Sequence, residues 1–207
     1  MGKKYQFEQL CSQSLAFLKD HFTTDYDQWM ASTPVPPTFE LKHAIGVVNL
    51  ARLAGTGYES ILPTALLVCC MLSGDELVNG FEGEDGTRVT LSAEDLVQVI
   101  DAKDKLRREV TDIVIRSLAP LDSGMTCWEG GCEAENILHF PVGVTPMGLC
   151  PNNPFDRWET CPRSYISKAM CDECEDRHKT FYIDGQRDLW KRLPAIFGLS
   201  VPNWLPQ

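Results

Sequence analysis

The chain has no excess of positive charge: 19 lysines and arginines stand against 29 aspartates and glutamates, for a formal net charge of −10. Such a surface repels phosphate backbones and anionic headgroups, so neither a nucleic-acid nor a membrane partner is expected. Long apolar runs are missing as well. The longest clean one, Ala65 to Leu72, is far short of the ~20 residues of a spanning helix. No apolar leader follows Met1, Gln6 stands where a myristoylation signal wants Ser or Thr, and Asn-x-Ser/Thr acceptors are lacking. The expectation is a cytoplasmic or nuclear protein.

Catalytic signatures are equally scarce. There is no Gly-x-Ser-x-Gly elbow, no His-Glu-x-x-His helix and no P-loop, and "AGTGYES" holds only the first two glycines of a dinucleotide turn. The acidic run "FEGEDG" lacks the alternating oxygen donors and terminal Glu of a calcium loop and reads as a solvated turn. Repeats and low-complexity tracts are absent. The nine cysteines form an odd set, which suits reduced thiols and a metal site better than a complete disulfide framework.

What is present is helical periodicity. Phe7, Cys11, Leu15, Leu18 and Phe22 step by four, four, three and four, predicting a helix over residues 3–22. The prolines of "STPVPPTF" exclude a helix through residues 32–39. Leu41, Ile45 and Val48 predict a second helix ending near the "GTG" of residues 55–57. Pro63 suits the first turn of a nearly all-apolar core helix ending near Leu72. An Asp-Gly turn followed by Val and Thr permits a small β-hairpin at residues 80–92. Ser92 and Asp95 resemble a capping pair for a long amphipathic helix from Ala93 to Leu118, stopping at Pro120. Residues 121–162 show no sustained period; helix resumes over 163–181, and a closing helix is expected to break or bend at Pro194. The fold class is therefore all-α, an irregular helical array with a long Cys-containing loop. The expected division is residues 1–120, a helical region, and 121–207, the Cys-rich loop and C-terminal helices, packed on the first region.

Two cysteine pairs flank the irregular segment: Cys127 with Cys132, and Cys171 with Cys174. Tetrahedral zinc takes four such donors, and two knuckles from distant sequence can staple a loop too poor in apolar surface to order itself. The two-residue gap between Cys171 and Cys174 is the common knuckle spacing, whereas the four-residue gap between Cys127 and Cys132 is less diagnostic. Cys150, Cys161 and His178 compete as ligands. Unliganded thiols are the other reading, since cysteine is a small residue often buried for packing; that reading holds for Cys69 and Cys70 in the apolar helix. A thioredoxin-like pair would want a strand before it, and the surroundings read as helix. Of the histidines His21, His43, His139 and His178, only His178, four residues after Cys174, has ligand-like spacing, and a solvated surface role is the first expectation for it.

Several stretches together resemble one family: "GKKYQFEQLCSQSLAFLKDHF", "HAIGVVNLARLAG", "SILPTALLVCCML", "LSAEDLVQVIDAKDKL" and "RDLWKRLPAIFGLSVPNW". In order and spacing they are similar to the helical C-terminal region of fungal, mushroom-type BTB/POZ domain proteins, with the BTB core itself missing. Residues 130–163 depart from it, carrying Pro and Gly where the family has a helical stretch. The resemblance implies a paired-cysteine element after the long helix and a Cys-x-x-Cys before the closing one, matched by Cys127, Cys132, Cys171 and Cys174 as ligands of a structural zinc. It also implies a non-catalytic protein-interaction region, an adaptor in a ubiquitin ligase or in transcriptional regulation, docking a protein partner on the helices of residues 3–72. Longer relatives would oligomerise through the BTB domain. The alternative class is a small zinc- or cysteine-dependent enzyme in which Cys161 or Cys174 works with His178 as base.

Overall fold

The computed structural model describes residues 2–55, 57–118, 153–158, 171–202 and 204. These residues form seven α-helices and one two-stranded antiparallel sheet, so the chain is all-α with a small hairpin. They divide into two compact units, residues 1–103 with 191–207, and residues 104–190. The boundary expected at residue 120 lies outside the described residues.

In the first unit, α1 (Gly2–His21) buries Leu15 and Leu18 with the following Phe22, as their spacing predicts. A short helix that periodicity does not reveal follows it. In α2 (Tyr26–Ala31), Asp25 caps the N-terminus by accepting from the Gln28 N–H at 2.7 Å, and Tyr26 and Trp29 turn inward. Local capping replaces a periodic stripe here, because six residues make too few turns to show one. The proline-containing stretch has no helix and leads through a 3₁₀ turn, Leu41–His43, into α3 (Ala44–Ala54). A second 3₁₀ turn, Glu59–Ile61, opens onto α4 (Leu62–Cys69), with Pro63 in its first turn.

Every residue of α4 is buried. Each fully buried Leu or Val contributes about 1.5–3 kcal/mol relative to exposure, which makes α4 the core element of its unit. The expected run to Leu72 is shorter in fact: α4 ends at Cys69 in a turn, and a separate helix, α5 (Gly74–Asn79), starts on a Ser73–Glu76 capping box. The hairpin is present, with β1 (Phe81–Glu82) paired to β2 (Arg88–Val89) in the register Phe81 opposite Val89. Gly80 is required at its base. With φ at 63° and the carbonyl oxygen of Val89 only 1.9 Å from where a Cβ would sit, no other residue fits without movement.

The long helix α6 (Ala93–Leu118) has the bounds its periodicity predicts. Its start is capped as expected: the Asp95 N–H donates to Ser92 Oγ at 3.1 Å and the Ser92 hydroxyl to Asp95 Oδ2 at 2.8 Å. The same buried carboxylate receives Arg52 of α3 at 2.6 Å, and Lys103 donates to the Leu72 carbonyl at 2.7 Å. These contacts anchor the first part of α6 within the first unit.

The last helix corrects two expectations. In place of one helix ending near Phe181 and another broken at Pro194, α7 runs unbroken from Asp172 to Ile196 with Pro194 in its final turn. A proline there removes one hydrogen bond from a helix about to end, which costs far less than in mid-helix. Gly185 does not interrupt α7 either. A Cβ at that position would lie 2.8 Å from Ile113 Cγ2, so the glycine admits a close approach of α6 and α7 within the second unit.

Candidate functional site

In the second unit, α7 presents one inward row at four-residue steps: Cys174, His178, Tyr182, Gln186 and Trp190, all buried. Its lower half has a structural task. Gln186 Nε2 donates to the Asp156 carbonyl at 2.9 Å and to the Pro154 carbonyl at 3.3 Å, and the Tyr182 hydroxyl donates to the Asp156 carbonyl at 3.2 Å. Phe155 meets Trp190 edge-on at 5.2 Å between ring centroids, and Trp158 lies 5.3 Å from Tyr182. Residues 153–158 are thus held to α7 by both backbone capture and ring packing.

The upper half carries the potential donors. Cys171 directly precedes the helix, its carbonyl accepting from the Glu175 N–H at 3.0 Å to close the first turn. Cys171 is half-buried, while Cys174 and His178 are each 8% exposed. His178 Nδ1 donates to the backbone carbonyl of Ser117 near the end of α6. Desolvation by burial, and secondarily the positive charge of Arg177, hold the His178 pKa below its ordinary value. Asp172, Glu173 and Glu175 crowd the first turn, where negative charge interacts favourably with the helix dipole.

Chemically, a thiol just before α7 and a thiol and an imidazole on it are a soft-to-borderline set of donor types, of the kind zinc takes. Among the described residues, no three His, Cys, Asp or Glu side chains converge on a common point. Cys127 and Cys132, together with the competing Cys150 and Cys161, and His139, lie outside the described residues. The remaining sequence-level candidates are accounted for by packing. Burial pushes the Cys70 thiol up to about 12 and that of Cys69 further still, so neither is a thiolate near neutrality. His43 accepts from the Glu40 N–H at 3.0 Å and meets Phe81 edge-on, a capping and packing role. Asp85 accepts from the backbone and hydroxyl of Thr87, so the acidic run is an ordered hairpin tip.

Sequence reasoning missed Gln186 in the α7 row, and Ser117 of α6, which receives the His178 N–H. The signal was there in the unbroken four-residue step from Cys174 to Trp190, but it mixes polar and apolar residues and so leaves no clean hydrophobic stripe. Comparison of the chain with protein-family models, with curated proteins and with solved structures finds no match.

Proposed function

We propose that this chain is a non-catalytic protein-interaction region of BTB/POZ type in which a structural zinc, held by Cys127, Cys132, Cys171 and Cys174, staples the irregular segment to the start of α7. The observation that carries the zinc is the placement of the Cys171–Cys174 knuckle: it opens a 25-residue helix and turns one thiol inward. An ion there would contribute folding free energy to a segment with little apolar surface of its own. The interaction role is supported by apolar side chains that the first unit leaves in solvent. Leu53 on α3 is 86% exposed, and Val78, Val97 and Ile100 are all more than half exposed. An adaptor role in a ubiquitin ligase or in transcriptional regulation follows from the BTB/POZ reading and shares its fate.

Native mass spectrometry of the full chain, purified without chelator, tests the staple. One zinc per chain, lost in Cys171→Ser and in Cys127→Ser, supports it; a folded chain without metal sinks it. For the interaction role, crosslinking in cells is compared between the wild type and a Leu53→Asp variant of unchanged circular dichroism. Crosslinks that map around α3 and vanish in the variant support docking, and an unchanged map removes that surface from consideration.

A further inference from the structure

The first part of α6 exposes apolar side chains on the side away from its own interior. Between Ala93 and Ala102 the helix buries Asp95, Val99 and Ala102. At about 100° per residue, Val97 and Ile100 fall on the opposite side, one turn apart, and both are more than half exposed. They are therefore not the rim of the buried stripe. Glu94 and Asp101, also exposed, stand one turn before and one turn after Val97 and edge the apolar pair. Among the described residues neither carboxylate makes an ion pair. Further along the same helix the acids are paired within it, Asp104 with Arg107 and Arg108, and Asp112 with Arg116. α6 leaves its carboxylates open where it also leaves apolar side chains in solvent.

We infer that Val97 and Ile100, edged by Glu94 and Asp101, form a docking face for a basic amphipathic helix of another protein. The inference rests on the interaction reading above and names both the face and the chemistry of what it takes. An apolar pair at i and i+3 is the spacing by which one helix packs along another, and charges beside such a seam choose the partner through ion pairs. Here those charges are negative, so the incoming helix must bring lysine or arginine next to its apolar stripe. The wider surroundings favour the same sign. Residues 73–102 hold eight aspartates and glutamates against the single basic residue Arg88, which is −7 of the chain's −10. A basic segment is steered toward such a surface before any contact forms. A second copy of the chain is the poorer occupant. A symmetric contact would set this acidic face against itself, between two chains that each carry −10, and two exposed aliphatic side chains give a smaller apolar centre than a permanent dimer buries.

The probe is a synthetic leucine and lysine peptide whose leucines repeat at three- and four-residue steps, titrated into the isotope-labelled full chain beside a scrambled peptide of the same composition. Amide shift changes should centre on residues 94–101, and the scrambled peptide should bind about 10-fold more weakly or worse. Val97→Asp, with circular dichroism unchanged, should weaken binding by about 10-fold or more, the scale of a lost interface anchor. Glu94→Gln combined with Asp101→Asn should lower affinity at low ionic strength and flatten its dependence on salt. Equal binding of the two peptides overturns the inference, reducing the face to general attraction toward an acidic surface. Shift changes centred elsewhere also overturn it and leave the interaction reading standing. Self-association of the free chain that Val97→Asp abolishes assigns the face to a second copy and overturns the basic partner. A chain that forms no protein crosslinks in cells loses the interaction reading itself, and this inference with it.

Discussion

From Ile61 to Cys70 the first unit buries every residue in succession, and all but Thr64 are apolar. In the second unit the buried row of α7 alternates chemistry, reading Cys174, His178, Tyr182, Gln186 and Trp190. The first interior is stabilised by area: any apolar side chain of the right volume serves, and stability scales with what is withdrawn from water. The second depends on partners. Buried amide, hydroxyl and imidazole groups cost free energy unless each finds its hydrogen bond, and in return they choose one position for residues 153–158 and one orientation for His178. An aliphatic interior holds a shape, whereas a polar one selects a geometry, which is what a ligand site needs.

The largest way to break that contrast is truncation in the first unit. Leu66→Ala in α4, where Leu66 is fully buried, should cost about 2–5 kcal/mol in urea denaturation. A size-conserving swap sharpens it: Leu66→Met should cost less than about 1.5 kcal/mol. Gln186→Met, equally close in size, should cost about 1–3 kcal/mol by removing the amide donor to the Pro154 carbonyl and one of the two donors to the Asp156 carbonyl, which keeps only the Tyr182 hydroxyl. Its second readout is local: Trp158 should become accessible to acrylamide quenching in Gln186→Met and not in Leu66→Met. Equal costs for the two methionine variants would erase the distinction between the units.

Backbone and capping changes in the first unit come next. Gly80→Ala should cost about 1–3 kcal/mol, because φ is 63° and ψ −150° there, a region open essentially to glycine alone. Ser73→Ala removes the cap of α5 and should cost about 1 kcal/mol. The smallest effect is in pH dependence. His21 Nε2 is buried without a partner, and burial holds the His21 pKa below 6.5, with the backbone of Thr33 and Pro34 offsetting part of the shift. The unfolded chain then takes up the proton first, so stability should fall as pH drops through and below 6.5. His21→Gln should flatten that part of a pH series of urea midpoints; an unchanged slope would assign it to other groups.

The legible parts of this fold are those where a face is apolar over several turns. α6 occupies Ala93 to Leu118 as its stripe indicates, and its Ser92–Asp95 cap could be read directly. α2 and α5 were not read, although Ser73 and Glu76 spell a capping box, because a six-residue helix has no room for a periodic stripe. Pro194 misled in the opposite direction. Its effect depends on how close the helix end lies, and α7 ends two residues later. At the candidate site the sequence names Cys171 just before α7 and Cys174 and His178 on it, but not that Ser117, sixty-one positions from His178, receives the ring's N–H.

By itself, then, the sequence determined the all-α class, the acidic net charge, the nearly all-apolar helix and the identity of the thiols, since each follows from local composition or from a period repeated over neighbouring residues. Only the tertiary structure decided that Gln186 captures residues 153–158, that Gly185 meets Ile113, and that His178 gives its Nδ1 hydrogen to Ser117. Those facts are pairings between residues far apart in the chain. A buried polar group takes whichever partner the fold brings within hydrogen-bonding reach, and no local pattern encodes which one that is.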